Sequence, residues 1–367
     1  MRKKKVLFLE KSTHSSRAQD RALVYLAGYL WAHTALSNSA GTRHLWARTA
    51  LSNSAGPLTR IQATSIDLIM GNTPSSAAAH APITTPAGLP LPPTLHATLP
   101  PTLSTRRTII VGDIHGCTAE LQALLAKLSF DPSADVLISV GDAVNKGPDS
   151  LGVVRLLAAS GAFLVRGNHD EAALAVAAAA RRGASPPLNP SAPHAWAADP
   201  GAADAVSYLA SSPFSLFLPA HALLVVHAGL LPGVALEAQA LDDLVELRHV
   251  RAEVGGRWAG VPKKAAQKGV GKPWARAFSG AIPGLGPDIH VVFGHHASRR
   301  LQAEPHATGI DTACVNGDCL TALVLPGSGG AGKSKRKKGG KVLGYERLGA
   351  TLVSVPAGSQ YTADPAE

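Results

Sequence analysis

Between residues 107 and 170, apolar runs alternate with segments whose apolar residues recur at helical spacing. The runs TIIVGD, DVLISVGD and AFLVRGNHD are typical of buried strands that end beside polar residues. The segments TAELQALLAKL and PDSLGVVRLLAAS lie between them and have the pattern of amphipathic helices. This order of strand, helix, strand, helix and strand predicts an α/β core with parallel strands.

Further apolar runs predict more strands downstream. ALLVVHAG leads to His227, and HVVFGHH leads to His295 and His296. The segment GIDTACVNGDCLTALVLP predicts two strands around a turn at Asn316–Gly317. After a basic, glycine-rich stretch at 327–341, TLVSVPA predicts that strand structure resumes. We therefore expect that stretch to be a flexible loop inside the domain.

The basic stretch contains the G-x-x-x-x-G-K-S pattern of a nucleotide-binding P-loop, formed by Gly327, Gly332, Lys333 and Ser334. A P-loop needs a strand before it and a helix after it. LTALVLP supplies the strand, but KSKRKKGGKV is a block of like charges followed by two glycines and does not predict a helix. We favour a solvated loop, and Lys333→Ala would test the nucleotide-binding alternative.

Residues 1–105 differ in composition from the rest of the chain. They contain few acidic residues and many Ser, Thr, Ala and Pro, and they include the near-identical segments LWAHTALSNSAG and LWARTALSNSAG, 15 residues apart. The stretch 75–104 reads as a proline-rich linker. We expect 1–105 to be a disordered, low-complexity region, 106–361 to form the domain, and 362–367 to be a tail.

The formal net charge is +10, but much of the excess lies in the runs MRKKK and KSKRKK. The charge is therefore local, and it allows contact with a polyanion without identifying one. Three cysteines without paired spacing do not predict a disulfide framework, and no apolar run reaches the ~18 residues of a membrane helix. We expect a cytoplasmic protein; organelle targeting by 1–105 and nuclear import through 333–338 are alternatives.

Side chains of one chemical kind occur at five successive strand ends, beside glycine. They are Asp113, His115, Asp142, Asn168, His169, His227 and His295. One such residue alone usually has a structural role, but the joint pattern indicates a metal site at the carboxyl edge of the strands. Carboxylates, imidazoles and an amide suit Mn, Fe, Zn or Co. Two such ions about 4 Å apart can clamp both oxygens of a displacement at phosphorus and lower the pKa of a bridging water.

The motifs GDIHG, GDAVNKG, GNHD, HAG and GHH resemble those of the calcineurin-like metallophosphoesterases of the phosphoprotein-phosphatase superfamily. Within that superfamily the chain is most similar to the ApaH-like phosphatases, which are relatives of symmetrical diadenosine tetraphosphate hydrolases. The resemblance covers about 107–326 and resumes at 351–357. It implies an α/β fold, the calcineurin-like metallophosphoesterase sandwich of two mixed β-sheets flanked by helices.

The resemblance also implies a role for each strand-end residue. Asp113 and His115 would hold a first metal ion, and Asp142 would bridge both ions. The second ion would be held by Asn168, His227 and His295. His169 would protonate the leaving group as general acid. The resemblance implies two divalent ions, and we expect manganese.

The segment VNKG departs from the VDRG of protein Ser/Thr phosphatases, because Asn145 and Lys146 replace an aspartate that supports the acid and an arginine that binds phosphate. ApaH-like enzymes deviate at the same aspartate, so the departure favours them. Restoring it with Asn145→Asp and Lys146→Arg is therefore expected to favour phosphopeptide substrates. Asn145, Lys146 and Arg248 are the candidate substrate-binding residues, and alignment on glycine selects His295 over its neighbour His296 as the ligand.

These features together predict a phosphohydrolase that uses two metal ions and direct water attack. Its expected substrates are phosphoanhydrides: dinucleoside polyphosphates, polyphosphate or capped nucleotide ends. A protein Ser/Thr phosphatase is the alternative enzyme, and an inactive polyanion-binding module is the alternative of another class. We expect a phosphorylated small molecule or polyanion as partner, no membrane, and nucleic acid only as a substrate; the sequence leaves the oligomeric state open.

Overall fold

The structure is a computed structural model that describes residues 84–184, 192–327 and 344–362. Its strands are β1 His96–Thr98, β2 Arg107–Val111, β3 Asp135–Ser139, β4 Phe163–Leu164, β5 Ser215–Leu218, β6 Leu223–Val226, β7 His249–Ala252, β8 Trp258–Val261, β9 Lys272–Pro273, β10 His290–Phe293, β11 Gln302–Glu304, β12 Ala307–Gly309, β13 Cys319–Leu325 and β14 Thr351–Pro356. Its α-helices are α1 Thr118–Lys127, α2 Ser150–Ala159, α3 Asn168–Arg181, α4 Ala203–Ser211, α5 Leu241–Glu246, α6 Lys263–Ala266 and α7 Trp274–Ala277. Among the described residues, no helix is both long and apolar enough to cross a membrane.

Two large mixed sheets dominate the architecture. One has the strand order β14-β13-β2-β3-β4, in which β2, β3 and β4 are parallel and β13 is antiparallel to both β2 and β14. The other has the order β1-β5-β6-β10-β12-β11, with β6, β10 and β12 parallel. The chain segment that follows α5 forms a small antiparallel sheet with the strand order β8-β7-β9. The predicted sandwich of two mixed sheets is confirmed.

Apolar side chains of both large sheets meet in one buried cluster. Ile110 and Ile138 come from the first sheet, and Val225 and Val292 come from the second, all four fully buried. Burial on both faces explains why these strands read as continuous apolar runs instead of alternating ones. The outer face of the first sheet packs against helices α1 to α4, and that of the second packs against α5 and α7.

A side-chain cap sets the start of α2. The sequence pattern of α2 starts at Pro148, but the helix itself begins at Ser150, because Asp149 acts as its N-cap. The Asp149 Oδ1 atom accepts a hydrogen bond from the Gly152 N–H at 2.7 Å. This satisfies one of the donors that the first helical turn leaves free.

The turn predicted at Asn316–Gly317 does not join two paired strands. β12 pairs with β10 and β11 in the six-stranded sheet, whereas β13 pairs with β2 and β14 in the five-stranded sheet. The chain between them forms a single 3-10 turn at Cys314–Asn316. The two strands and the turn between them are therefore present, but the strands pair in different sheets, because turn chemistry is local whereas strand partners are chosen by burial.

Residues 84–105 belong to the domain, so the prediction of a linker there was wrong. β1 pairs with β5, and Leu89 and Leu99 are buried at 7% and 2% exposure. Ala87 N–H also donates a hydrogen bond to Glu171, which forms a buried ion pair with Arg166 at 2.7 Å. Short strands and isolated leucines within a proline-rich stretch carry no periodic signal that the sequence could have shown.

Several predictions concern residues outside the described ranges. They are the duplicated segments, the basic run 333–338 with most of the P-loop pattern, and residues 363–367. The strand predicted after the basic stretch is confirmed, since β14 pairs with β13 along six positions. The described chain then reaches Tyr361, whose N–H donates a hydrogen bond to the Val315 carbonyl.

Candidate metal centre

The strand-end residues predicted as ligands meet at one place, although they come from two sheets. Asp113 and Asp142 follow β2 and β3 of the first sheet, while His227 and His295 follow β6 and β10 of the second. Asn168 begins α3. The cleft they line has a volume of about 270 Å³, and its walls comprise His115, Asp142, Lys146, Asn168, His169, Glu246, Arg248, Lys263, His295, Ala297, Asp311 and Asn316.

Asp142 occupies the centre of the cluster. Its Oδ2 atom lies 3.6 Å from Nε2 of His115, and its Oδ1 atom lies 3.4 Å from Nε2 of His227. The backbone N–H of His169 donates to Oδ1 at 2.9 Å, which fixes the carboxylate. Two groups of three side chains have ligand atoms within 4.8 Å of one another, and Asp142 belongs to both: His115, Asp142, His169 and Asp142, His227, His295.

The histidines turn one ring nitrogen into the cluster. Nδ1 of His227 lies 3.0 Å from the Val140 carbonyl, which can only accept, so Nδ1 carries the proton and Nε2 faces Asn168 Oδ1 at 3.1 Å. Nδ1 of His115 is fixed in the same way by the Val144 carbonyl at 3.1 Å. Outer hydrogen bonds of this kind are typical of metal-ligating histidines, because they fix the tautomer and aim the free lone pair.

The contacts among the ring nitrogens, the Asn168 oxygen and the Asp142 carboxylate are stabilised by a positive charge at the centre. The amide oxygen of Asn168 lies 3.1 Å from ring nitrogens of both His227 and His295. Burial lowers the pKa of His227, but the charge and hydrogen bond of Asp142, together with the charges of Asp113 and Asp170, raise it, and the resulting pKa is about 10. A proton or a metal ion at Nε2 supplies this positive charge, so the donor set fits a divalent cation.

Four carboxylates are buried around the same point: Asp113, Asp142, Asp170 and Asp311. Burial, followed by the charge of Asp311, raises the pKa of Asp113 well above its usual range. Asp113 accepts the His295 backbone N–H on both oxygens, at 3.1 and 3.0 Å. Grouped buried carboxylates are costly unless a cation neutralises them. This is a second reason why the residues fit metal ions.

Asp170 holds the backbone of the centre. Its carboxylate accepts hydrogen bonds from the N–H groups of Asp142, Ala143 and Gly167, at 2.9, 3.1 and 2.9 Å. Burial, with the nearby charge of Asp142, raises the pKa of Asp170 to about 7. The residue therefore ties the loop after β3 to the start of α3.

Five residues of the centre have left-handed backbones, although none is glycine. Their φ angles are 48° for His115, 50° for Asp142, 70° for Asn145, 66° for Lys146 and 69° for His295. Such conformations cost on the order of 1–3 kcal/mol each and persist where the surroundings impose them. Strain concentrated in this way is typical of functional sites.

The glycines beside the ligands leave room for carboxylates. A Cβ atom at Gly294 would collide with Oδ1 of Asp113, and a Cβ at Gly167 would collide with Oδ1 of Asp142. Both collisions involve side chains whose hydrogen bonds hold them in place. Gly167 and Gly294 are therefore required by close approach of the ligands, whereas a Cβ at Gly112 would meet the Ile310 main-chain carbonyl.

Asn145 does not line the cleft, although the sequence suggested that it binds substrate. It is 1% exposed, its Nδ2 atom donates to the main-chain carbonyl of His169 at 2.8 Å, and its Oδ1 accepts from Trp196. It therefore supports the backbone of the candidate acid, not the imidazole. Nδ1 of His169 is buried and has no hydrogen-bond partner among the described residues.

Lys146 and Arg248 do line the cleft, as predicted. The Arg248 side chain is 13% exposed, and its guanidinium lies 3.6 Å from the Glu246 carboxylate. The sequence reasoning missed Glu246 and Lys263, which come from α5 and α6. Neither follows a strand end beside glycine, so no local pattern marks them.

The fold and the site define the class of protein: a two-sheet α/β sandwich with a candidate metal centre at the strand ends. The chain belongs to the calcineurin-like phosphoesterase family, whose sequence profile matches residues 106–310.

Several named proteins are similar to this chain. The symmetrical bis(5'-nucleosyl)-tetraphosphatase of Photorhabdus laumondii is 40% identical over 262 residues, which cover 59% of this chain and 92% of that protein. A solved structure described as a candidate diadenosine tetraphosphatase is 36% identical with a TM-score of 0.54, and the match covers 72% of this chain and 98% of that one.

Other matches are shorter. The Shewanella oneidensis protein of the same name is 39% identical over 142 residues, and the chain spans about half the length of this and similar Shewanella relatives (48% in this case). Serine/threonine-protein phosphatase 1 of Salmonella typhimurium is 51% identical over 69 residues, which are 19% of this chain and 32% of that protein.

Proposed function

We propose that the chain is a phosphohydrolase that uses two divalent metal ions and direct water attack, with no covalent phosphoenzyme. The observation that carries the proposal is the placement of Asp142. Each of its oxygens faces a different histidine, at 3.6 and 3.4 Å, as expected of a carboxylate that bridges two ions.

We assign the remaining ligands by their position around Asp142. Asp113 and His115 would hold the first ion, and Asn168, His227 and His295 the second. Bound there, the ions would neutralise charge on the phosphoryl group and lower the pKa of the attacking water. Mixed carboxylate, amide and imidazole donors suit ions of borderline hardness, and we propose manganese, with Fe, Zn or Co as alternatives.

The chain's own cations would bind the phosphate. Lys146 and Arg248 line the cleft on the solvent side of the ligands, and both carry a positive charge that can orient phosphoryl oxygens. Lysine provides a point charge, whereas the Arg248 guanidinium can form two parallel hydrogen bonds.

His169 is the proposed general acid. Burial lowers its pKa to about 4, while the Asp142 carboxylate acts in the opposite direction. A phosphate oxygen that carries negative charge beside the ring would favour the protonated form. Its ring lies edge-on to that of His115, with centroids 4.9 Å apart, so it is adjacent to the reacting position. Asn145 would keep it there through the main chain.

Phosphoanhydrides are the proposed substrate class, in particular dinucleoside polyphosphates, with polyphosphate and capped nucleotide ends as further members. Position 145 has no carboxylate to support the acid. The leaving group of a phosphoanhydride is a phosphate anion, which is a weak base and needs less proton donation than the alkoxide of a serine. Similarity to the symmetrical bis(5'-nucleosyl)-tetraphosphatase of Photorhabdus laumondii over 92% of that protein's length supports the same choice.

A substrate panel with the purified, manganese-loaded protein tests the proposal. We expect turnover of diadenosine tetraphosphate at least about tenfold above that of a phosphoserine peptide. A preference for the peptide would instead support a protein Ser/Thr phosphatase. Metal binding without turnover of any substrate, including an aryl phosphate, would indicate the inactive polyanion-binding module.

The metal assignment has its own test. Asp142→Asn should lower turnover by about 10³-fold or more and reduce the metal content, because one residue serves both positions. Asp242→Asn is the matched control, since Asp242 is exposed and lies in α5 away from the ligands. Near-normal activity and metal content in Asp142→Asn would contradict the assigned centre.

A further inference from the structure

A second cleft adjoins the metal centre. Its volume is about 220 Å³, and it is lined by Arg248, His249, Lys263, Ala266, Gln267, His296, Ser298 and Arg299. Arg248 and Lys263 line both this cleft and the metal cleft. A ligand that occupies the metal centre can therefore extend into the second cleft without leaving the surface of the protein. We call this second cleft the basic cleft.

The lining of the basic cleft is positively charged. Among the residues that the structure describes, its lining contains Arg248, Lys263 and Arg299 and no aspartate or glutamate. Burial, followed by the charges of Arg299 and Arg248, lowers the pKa of His249. The imidazole thus experiences a positive field, which the Glu246 carboxylate beside Arg248 offsets only in part, and such a field concentrates anions.

Polar atoms in the basic cleft also lack partners. Nε of Arg248 and Nδ1 of His249 are buried, and neither has a hydrogen-bond partner among the described residues. Arg299 is held in place, since its Nε donates to Oε1 of Gln302 at 3.1 Å. Buried polar atoms without partners are costly, and the Arg248 guanidinium has further N–H groups that can donate to a ligand in the cleft.

We propose that the basic cleft is a subsite for the phosphate groups of the substrate that lie beyond the one attacked at the metal centre. The inference rests on the proposed hydrolysis of phosphoanhydrides and adds a length requirement to it. Phosphate oxygens are negatively charged acceptors, so Arg248, Lys263 and Arg299 can donate charge-assisted hydrogen bonds to them. The subsite therefore selects substrates with an extended phosphate chain over single phosphoesters.

Kinetics separate the subsite from the metal centre. We expect Arg299→Gln, a change outside the metal cleft, to raise KM for diadenosine tetraphosphate about fivefold while kcat changes less than about twofold. Adding Lys263→Gln should raise KM to about tenfold the wild-type value. Kinetics of Arg299→Gln with p-nitrophenyl phosphate should stay within about twofold, because this substrate has one phosphate. Lys264→Gln is the matched control for Lys263, since Lys264 is the next residue of α6, is exposed and does not line the basic cleft.

A binding measurement keeps the proposal independent of catalysis. In calorimetry on the full-length protein kept free of metal, so that the anhydride is not hydrolysed during the titration, Arg299→Gln should bind tripolyphosphate about fivefold more weakly and orthophosphate unchanged. If the wild-type protein hydrolyses no anhydride, the proposed function fails, yet this binding result still decides the subsite. An equal loss for both ligands, or no loss for either, would overturn the subsite.

The same variants identify the feature that the subsite recognises. A similar loss for tripolyphosphate and for diadenosine tetraphosphate would support recognition of the phosphate chain itself. A loss confined to the dinucleotide would overturn the proposal, because the cleft would then recognise the nucleoside.

Discussion

At the scale of single residues, the site depends on hydrogen bonds that aim each ligand. The Val140 and Val144 carbonyls fix the rings of His227 and His115, and the His169 N–H fixes Asp142. These supporting groups belong to the backbone, so side-chain replacement cannot remove them. The geometry of the centre is therefore a property of the loops themselves, and substitutions of the ligands leave that frame in place.

The proposed acid can be tested through the leaving group. His169→Asn should slow hydrolysis of substrates with poor leaving groups by about 10²–10⁴-fold, because they require a proton in the transition state. Activated aryl phosphates, which leave without a proton, should lose much less. Steady-state kinetics on an alkyl phosphate and on p-nitrophenyl phosphate measure the difference. Equal losses on both substrates would remove His169 from the acid role.

Asn145→Asp is predicted to impair the protein. The sequence alone suggested that a carboxylate here would support the acid, but Nδ2 of Asn145 donates to the His169 carbonyl at 2.8 Å. A carboxylate cannot donate, and at 1% exposure the unpaired acceptors should cost about 1–3 kcal/mol. Thermal unfolding and turnover on an anhydride and a phosphopeptide test this, with Asp242→Asn at an exposed position as the control. A stable Asn145→Asp variant with increased phosphopeptide activity would restore the earlier expectation.

At the scale of elements, β10 carries both a ligand and a buried titratable group. The strand starts at His290 and leads to His295. His290 is 5% exposed, and its Nε2 atom lies 2.8 Å from Oγ1 of Thr308. Burial, followed by His306 and Arg347, lowers the pKa of His290 from 6.5 to about 4. The strand therefore requires a neutral histidine at its first position.

Acidification should weaken the fold at this strand. Because the pKa of His290 is lower in the folded than in the unfolded state, the unfolded chain binds more protons between pH 6.5 and 4, and stability falls as the pH falls through that range. The contribution is at most about 3 kcal/mol. Thermal unfolding at pH 7 and pH 5 should show a smaller decrease in Tm for His290→Gln than for wild type. The same decrease in both proteins would show that His290 is not the group responsible.

At the scale of the whole molecule, the domain includes a segment that the sequence did not assign to it. β1 extends the six-stranded sheet, and Leu89 and Leu99 enter two different apolar clusters. The segment thus packs into both of these clusters, although it precedes the motif GDIHG and supplies none of the proposed ligands.

Two truncations measure that contribution. A chain that starts at residue 106 should have a Tm on the order of 5–10 °C below that of a chain that starts at residue 84. The shorter chain loses β1 and the burial of Leu89 and Leu99, and burial of each leucine side chain contributes roughly 1.5–3 kcal/mol. The chain that starts at 84 is the matched reference, since both lack residues 1–83. Equal Tm values would show that residues 84–105 add no stability.

Much of the molecule follows from the sequence alone. Strands that are buried on both faces leave continuous apolar runs, and residues at their carboxyl ends meet by geometry, so β2, β3, β6 and β10 and the residues after them could be predicted. The glycines beside the ligands added a second local signal, because the carboxylates of Asp113 and Asp142 occupy the space that a Cβ would need.

Tertiary structure alone decided the rest. The partners of β12 and β13 depend on which sheet buries each strand. Glu246 and Lys263 come from helices, the basic cleft also takes residues from a strand, loops and a turn, and all of these reach the site only after folding. The role of Asn145 likewise depends on the His169 carbonyl, which lies 24 residues away along the chain. A sequence shows what a segment prefers locally, whereas contacts between distant segments are chosen by burial and by the pairing of polar groups across the whole fold.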